Sequence, residues 1–128
     1  MRLLLDTCTF LWMAARPEAL SRAATDALCA AGNDVVLSAA SAWEIAVKHA
    51  LGRLDLPSPP EEWVPDRRER LGVGSLALTE AAVVQAGHLP DLHRDPFDRL
   101  LVCQALAHGM TLVTPDRVLA RYPAPVLW

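Results

Sequence analysis

Short apolar runs alternate along this chain with longer segments of helical spacing, and this alternation limits the fold more than any other feature. Residues 2–5 (RLLL), 34–38 (DVVLS) and 110–114 (MTLVT) are each followed by a segment typical of a helix or turn. Strands without a polar face are characteristic of a parallel sheet that helices cover on both sides. The sequence therefore predicts an α/β fold with a short, mainly parallel β-sheet flanked by α-helices.

Turn and cap residues divide the segments between these runs. Helices are predicted before Pro17 and at residues 19–31, 41–52, 61–70, 79–87, 96–108 and 118–122. Residues 72–78 and 124–128 are predicted to add short strands. The proline-rich stretch 56–65 is interpreted as a loop within the fold, so residues 1–128 are expected to form one domain.

Several protein classes are disfavoured by what the chain lacks. No apolar run is long enough to span a membrane, and Asp6 interrupts the apolar start, so we expect a cytoplasmic protein without a signal peptide. The three cysteines are odd in number and have no CxxC spacing, which disfavours a disulfide framework or a zinc site. Cys29 and Cys103 are expected in the core, whereas Cys8 is expected to border a site.

Acidic residues follow the predicted strands or begin the helices next to them. Asp6 follows the first strand, Glu44 lies early in the helix after the second, and Asp116 follows the third. The carboxyl ends of parallel strands share one edge of the sheet, where ligands usually bind. Asp95 and Asp98, near the start of the helix before the third strand, are spaced to share one helical face. We therefore expect these acids to converge.

A cluster of this kind favours a hard divalent cation. Carboxylates about 5 Å apart repel one another by roughly 3 kcal/mol at an effective dielectric constant near 20. Oxygen ligands without clustered His or Cys suit Mg²⁺ or Mn²⁺, which commonly serve phosphoryl chemistry. Five acids in the site would leave a small excess of Lys and Arg over acids elsewhere, so the net charge of −3 does not exclude RNA.

Each acid also has a structural interpretation. Glu44 completes the capping-box pattern Ser41-x-x-Glu44 and lies four residues before Lys48. Asp95 and Asp116 are positioned to cap the helices that follow them. Asp98 has Arg94 and Arg99 as nearby ion-pair partners, and the same arginines are alternative contacts for a phosphate. His93 is expected either to contact substrate or to make a structural hydrogen bond.

Four segments carry a resemblance to a known family. The chain resembles PIN-domain proteins, specifically toxin ribonucleases of the VapC type from bacterial toxin–antitoxin pairs. The matching segments are LLLDT with FLW, SAASAWEIAVKHALGRL, HRDPFDRLLVCQALAHG and LVTPD. They span nearly the whole chain, and the WEI-x-x-K and DPFDR-x-L-x-x-Q patterns are the more specific. The sequence departs from the usual pattern at Cys8 and Pro115, and neither departure removes an acid.

The resemblance implies a function and a set of site residues. Asp6, Glu44, Asp98 and Asp116 match the family's catalytic, metal-binding acids, and the secondary candidates are Asp95, Thr114 and Arg99. The implied activity is Mg²⁺- or Mn²⁺-dependent endoribonuclease activity, in which metal-activated water hydrolyses RNA such as tRNA or rRNA. The resemblance also implies a homodimer and a cognate antitoxin protein that blocks the site, with no membrane association.

Two other functions are consistent with parts of the sequence. A catalytically inactive PIN-like module would bind RNA or protein with the same fold, and the absence of Mn²⁺ binding would identify it. A haloacid dehalogenase-like phosphatase would use the Asp6-Thr-Cys-Thr segment, with Asp6 as nucleophile. Cys8 stands where such a phosphatase has its second Asp, which disfavours this alternative.

Overall fold

The computed structural model describes residues 1–128 and contains five strands in one sheet. The strands are β1 (Arg2–Leu5), β2 (Asp34–Ser38), β3 (Gly74–Leu76), β4 (Thr111–Val113) and β5 (Val126–Leu127). The helices are α1 (Thr7–Ala15), α2 (Arg22–Cys29), α3 (Ala39–Ala50), α4 (Pro60–Leu71), α5 (Glu80–Gln85) and α6 (Pro96–His108). Short 3₁₀ turns occupy Pro17–Ala19, Ala86–His88 and Leu119–Arg121.

The sheet is entirely parallel, in the order β3-β2-β1-β4-β5. Strand β1 lies at its centre, with Leu3 opposite Val35 of β2 and Leu4 opposite Leu112 of β4. Alternate side chains of β1 enter different halves of the core, because successive residues of a strand point to opposite faces. The predicted fold class, a short parallel sheet flanked by helices, is confirmed.

Helices cover both faces of this sheet. On one face, Leu3 and Leu5 pack with residues of α1, α2, α3 and α4, among them Phe10 and Trp63, whose rings meet edge to face. On the other face, Leu4 packs with α6 and with the segment around Tyr122. None of the helices combines the length and apolar character needed to cross a bilayer.

Four local predictions were wrong. The proline-rich stretch 56–65 is not a loop throughout, because α4 begins at Pro60, whose missing N–H is tolerated at the first helical position, and it contains Pro65. Helix α2 begins at Arg22 and not at residue 19, because the Ser21 side chain accepts the Ala24 N–H at 3.0 Å and so caps the helix. Cys29, expected in the core, is exposed at the end of α2. Residues 118–122 contain a 3₁₀ turn in place of an α-helix.

Candidate metal and catalytic site

One cavity of about 360 Å³ lies at the carboxyl edge of the sheet, and acidic side chains from distant parts of the chain line it. The acids in its wall are Asp6, Glu44, Asp95, Asp98 and Asp116. They come from the end of β1, from α3, from the start of α6 and from the segment after β4. The predicted convergence is therefore present, whereas the role of these acids as metal ligands stays a prediction.

Thr114 connects the first and last acids of the cluster. Strand pairing places Asp6 beside β4, because the Asp6 amide donates to the Val113 carbonyl at 3.1 Å. The Thr114 hydroxyl donates to Asp6 Oδ2 at 2.7 Å and accepts the Asp116 amide at 3.0 Å. Thr114, which was predicted as a secondary site residue, thus fixes the relative positions of the two acids.

Glu44 is buried and held by two polar neighbours. The Thr7 hydroxyl donates to Glu44 Oε1 at 2.7 Å, and the Lys48 ammonium forms an ion pair with Oε2. The hydrogen bond to Glu44 is the largest cause of a raised Lys48 pKa. The capping-box interpretation of Glu44 is wrong, because α3 begins earlier and its N-cap is Ser38.

Lys48 is the one cationic side chain among the residues that line the cavity. From the sequence, Lys48 was predicted only as an ion-pair partner of Glu44, and Thr7 was not predicted to belong to the site. The available signals were the spacing of four residues between Glu44 and Lys48 on one helix and the position of Thr7 directly after Asp6.

His93 connects the last two acids. Its Nε2 lies 2.9 Å from Asp116 Oδ2 and 3.2 Å from Asp98 Oδ2. Its Nδ1 accepts the backbone N–H of Asp95 at 3.1 Å. The structural alternative for His93 is therefore observed, and its bonds join the loop before α6 to the acidic cluster.

Burial and mutual repulsion make the cluster electrostatically unfavourable. Burial, followed by the negative charges of Asp6 and Asp95, raises the Asp98 pKa to about 7. Burial also raises the Asp6 pKa, and the hydrogen bond from Thr114 offsets only part of that effect. At His93, burial lowers the pKa, but the hydrogen bond to Asp116 and the surrounding carboxylates raise it more.

This donor set fits a hard divalent cation. The acids offer oxygen ligands, and one Lys and one His do not neutralise them. A bound cation would relieve the repulsion that raises the pKa of Asp98 and Asp6. One oxygen from each of Asp98 and Asp116, together with a His93 nitrogen, lie within 4.8 Å of one another. Mg²⁺ and Mn²⁺ prefer such carboxylate surroundings.

Asp95 has a capping role as well as a place in the cavity. Its Oδ1 accepts the Phe97 N–H at 2.9 Å, so it is the N-cap of α6, with Pro96 at the first helical position. Asp116 caps its own turn in a similar way, since its Oδ1 accepts the Val118 N–H at 2.8 Å. For both residues the structural role accompanies a position in the acidic cluster.

Arg99 does not form an ion pair with the acids, which was one of the two roles predicted for it. Its guanidinium donates to the backbone carbonyls of Ala86 at 2.8 Å and Pro90 at 3.0 Å, with longer contacts to nearby groups. Neither Arg99 nor Arg94 forms an ion pair with Asp95 or Asp98, because the partner of Asp98 is His93. The side chain of Arg99 is thus used to hold the loop before α6.

Cys8 and Pro115, the two departures from the family pattern, both line the cavity. Burial and the charge of Asp6 raise the Cys8 pKa to about 11. A thiol with so high a pKa is almost entirely protonated at neutral pH, and the thiolate is the nucleophilic form. Cys8 therefore has no electrostatic activation as a nucleophile.

Comparison with known proteins gives consistent matches along the chain. The family model described as "PIN domain" matches residues 3–125. Ribonuclease VapC22 of Mycobacterium tuberculosis is 35% identical over 126 residues, covering 96% of this chain and 95% of that relative. Ribonuclease VapC16 of the same organism is 49% identical over 49 residues, or 38% of this chain and 35% of its own length.

Solved structures agree on the fold. VapBC2 from Rickettsia felis, solved bound to a DNA fragment from its promoter, matches with a TM-score of 0.73 at 16% identity, covering 98% of this chain and 97% of that one. FitAcB from Neisseria gonorrhoeae matches with a TM-score of 0.57 at 21% identity, covering 97% and 95%. At such low identity these matches establish the fold alone.

Proposed function

Because this chain belongs to the PIN-domain family, with a Ribonuclease VapC as a relative over most of its length, we propose that it is an endoribonuclease of the VapC type. The observation that carries the proposal is the shared cavity of Asp6, Glu44, Asp98 and Asp116, which lie far apart in sequence. The reaction is hydrolysis of RNA phosphodiester bonds, and it requires Mg²⁺ or Mn²⁺. The substrate is RNA, with tRNA and rRNA as the classes to test.

The four acids would hold the cation, and the bound cation would supply positive charge that polarises the scissile phosphate and lowers the pKa of water. Thr114 keeps Asp6 and Asp116 in place for this role, and Thr7 orients Glu44. Glu44, buried beside Lys48, is the carboxylate that orients the attacking water or accepts its proton.

Lys48 has the charge and location to bind the phosphate. Its side chain is 45% exposed and borders the cavity, so it reaches both Glu44 and an entering substrate. An ammonium beside a non-bridging phosphate oxygen stabilises the negative charge that the transition state carries. The water oxygen bonds to phosphorus while the bond to the ribose 3′ oxygen breaks, so the products carry a 5′-phosphate and a 3′-hydroxyl.

The direct test is cleavage of an RNA pool by the wild-type chain and by Asp6→Asn, with Mg²⁺ and with EDTA. We expect cleavage only by the wild type with Mg²⁺, with a loss of about 100-fold or more in the variant. Asp26→Asn, which changes an exposed acid on α2, is the matched control and should cleave normally. Cleavage that survives both Asp6→Asn and EDTA, or products with a 2′,3′-cyclic phosphate, would contradict the proposal.

We also propose that an antitoxin protein inhibits the enzyme from a groove beside the site. A second cavity of about 410 Å³ lies between α1 and α4, and its lining includes Leu11, Trp12, Leu56 and Trp63. Leu11 and Trp12 also line the acidic cavity, so an apolar segment in this groove would reach the catalytic acids. Hydrogen exchange should show protection in α1 and α4 on antitoxin binding, and protection elsewhere alone would disprove this location.

A homodimer is the proposed assembly, and exposed apolar side chains support it. Trp43 of α3, Val84 of α5 and Leu106 of α6 are 56%, 60% and 42% exposed. Exposed apolar groups on adjoining helices are typical of surfaces that bury themselves against a partner.

A further inference from the structure

We infer that His93 is a positioning residue that orients Asp98 and Asp116 from outside the coordination sphere of the metal. Its Nε2–H donates to Asp116 and lies within ion-pair distance of Asp98, and its ring nitrogens do not bind the ion. The inference rests on the proposed function, since it concerns how that same site is held. His93 lies close enough to the two acids to be taken for a third ligand, and its hydrogen bonds decide between the two roles.

The backbone of His93 is held firmly on the protein. Its amide donates to the Tyr122 hydroxyl at 2.9 Å, and that hydroxyl donates to the Pro90 carbonyl at 3.0 Å. Tyr122 itself is buried among the residues that pack against β4. The His93 side chain, only 18% exposed, therefore projects from a fixed point toward the acids.

The tautomer follows from the bond at Nδ1. The Asp95 backbone N–H points at Nδ1 from 3.1 Å, and a backbone amide is always a donor. Nδ1 must therefore present its lone pair, so the proton of the neutral ring is on Nε2. A protonated Nε2 has no in-plane lone pair to offer a cation, and it is a hydrogen-bond donor.

The Nε2 atom of His93 faces the carboxylates of Asp116 and Asp98. Nε2 forms a hydrogen bond with Asp116 Oδ2 at 2.9 Å and lies 3.2 Å from Asp98 Oδ2, an ion-pair distance. Asp98 accepts no hydrogen bond from another group of the protein, although its side chain is only 13% exposed. The Asp98 oxygens therefore remain available to a cation beside the His93 ring.

Groups that orient metal ligands in this way affect metal affinity, and their loss typically costs about 10–100-fold. Two substitutions separate the contributions of the two ring nitrogens, Nδ1 and Nε2. His93→Asn places an amide oxygen near Nδ1, keeping the acceptor for the Asp95 N–H and losing the donor to Asp116. His93→Gln places an amide N–H near Nε2, keeping the donor to Asp116 and losing the acceptor.

The experiment is titration of the metal-free protein with Mn²⁺ alone, and binding is measured by calorimetry and by electron paramagnetic resonance. We expect His93→Asn to weaken Mn²⁺ binding by about 10–100-fold and His93→Gln to stay within about 3-fold of wild type. A role limited to holding the loop predicts the reverse order. Equal affinities of His93→Asn and wild type, or equal losses in both variants, would overturn the inference.

Two spectroscopic measurements on the wild type do not depend on how the variants fold. Nitrogen NMR of labelled histidine, at a pH above the raised pKa of His93, should show the Nε2–H tautomer in the metal-free protein, and an Nδ1–H tautomer would overturn the inference. Pulsed electron paramagnetic resonance of bound Mn²⁺ should show no directly coordinated histidine nitrogen, and a coordinated nitrogen would make His93 a ligand.

The Mn²⁺ titration also separates this inference from the function on which it rests. Asp98→Asn, which changes a proposed ligand, should abolish or strongly weaken Mn²⁺ binding. Wild type that binds no Mn²⁺ would refute the proposed metal dependence. Loss of binding in Asp98→Asn with undiminished binding in His93→Asn would refute only the role assigned to His93.

Discussion

At the scale of single residues, the site consists of carboxylates whose positions are costly for the metal-free fold. Asp98 is nearly buried and faces the charges of Asp6 and Asp95, which together with burial raise its pKa to about 7. An ionised group in such surroundings opposes folding unless a cation compensates it. The acids are thus better explained by binding than by stability.

The stability of the metal-free protein should depend on pH through Asp98. An unfolded Asp ionises near pH 3.8, whereas the folded group keeps its proton up to about pH 7. The unfolded state therefore binds fewer protons in this window, and the free energy of unfolding falls as pH rises through it. Between pH 5 and pH 8 this one group should cost on the order of 2–3 kcal/mol.

Urea unfolding in EDTA at pH 5 and pH 8 measures this effect. Asp98→Asn cannot ionise, so its stability should fall less over that interval than that of wild type. Asp26→Asn, with an exposed side chain on α2, should behave as wild type. An unchanged pH dependence in Asp98→Asn would show that Asp98 does not titrate in this range.

At the scale of elements, the segment between α5 and α6 depends on one side chain of α6. Arg99 donates to the carbonyls of Ala86 and Pro90, with longer contacts to those of Leu89 and His93. Its guanidinium has five N–H donors in a rigid plane, which suits it to gather several carbonyls at once. The same segment carries His93, the ion-pair partner of Asp98. Helix α6 therefore supplies both Asp98 and the arginine that holds the segment of His93.

Arg99→Met should therefore destabilise the protein by about 2–3 kcal/mol, because hydrogen bonds from a charged donor are lost and carbonyls are left unsatisfied. Urea denaturation measures the loss, and hydrogen exchange should quicken in residues 86–93. Arg94→Met is the matched control, since Arg94 is exposed and makes no ion pair, and it should stay within about 0.5 kcal/mol of wild type. Equal stability of the two variants would contradict this role.

At the scale of the whole molecule, the exposed Trp43 of α3, which packs on the half-buried Phe97 of α6, indicates the surface for self-association. Trp43 meets Phe97 edge to face, with ring centroids 4.9 Å apart, beside Glu44 and Asp98 in sequence. Trp43→Arg should convert the proposed dimer to a monomer, because a charge would replace an aromatic anchor. Light scattering measures the mass, with Leu51→Arg as a control at another exposed apolar position. A wild-type monomer, or a dimer unaffected by Trp43→Arg, would disprove the assignment.

The sequence by itself determined the sheet, its helical covers and the acids that share its carboxyl edge. Runs such as LLL and VVL are local signals, and parallel strands necessarily bring their carboxyl ends together. Asp6 and Asp116 were therefore predictable as neighbours although 110 residues separate them in the numbering.

Only the tertiary structure decided which polar groups meet at the site. His93 was expected to take one of two roles, and Arg99 was expected near the acids, yet Arg99 binds carbonyls of the preceding segment. Hydrophobic periodicity is written in neighbouring residues, whereas a hydrogen bond depends on the angle and distance at which remote backbone atoms arrive. The cap at Ser38 and the contact between Thr7 and Glu44 were missed for the same reason.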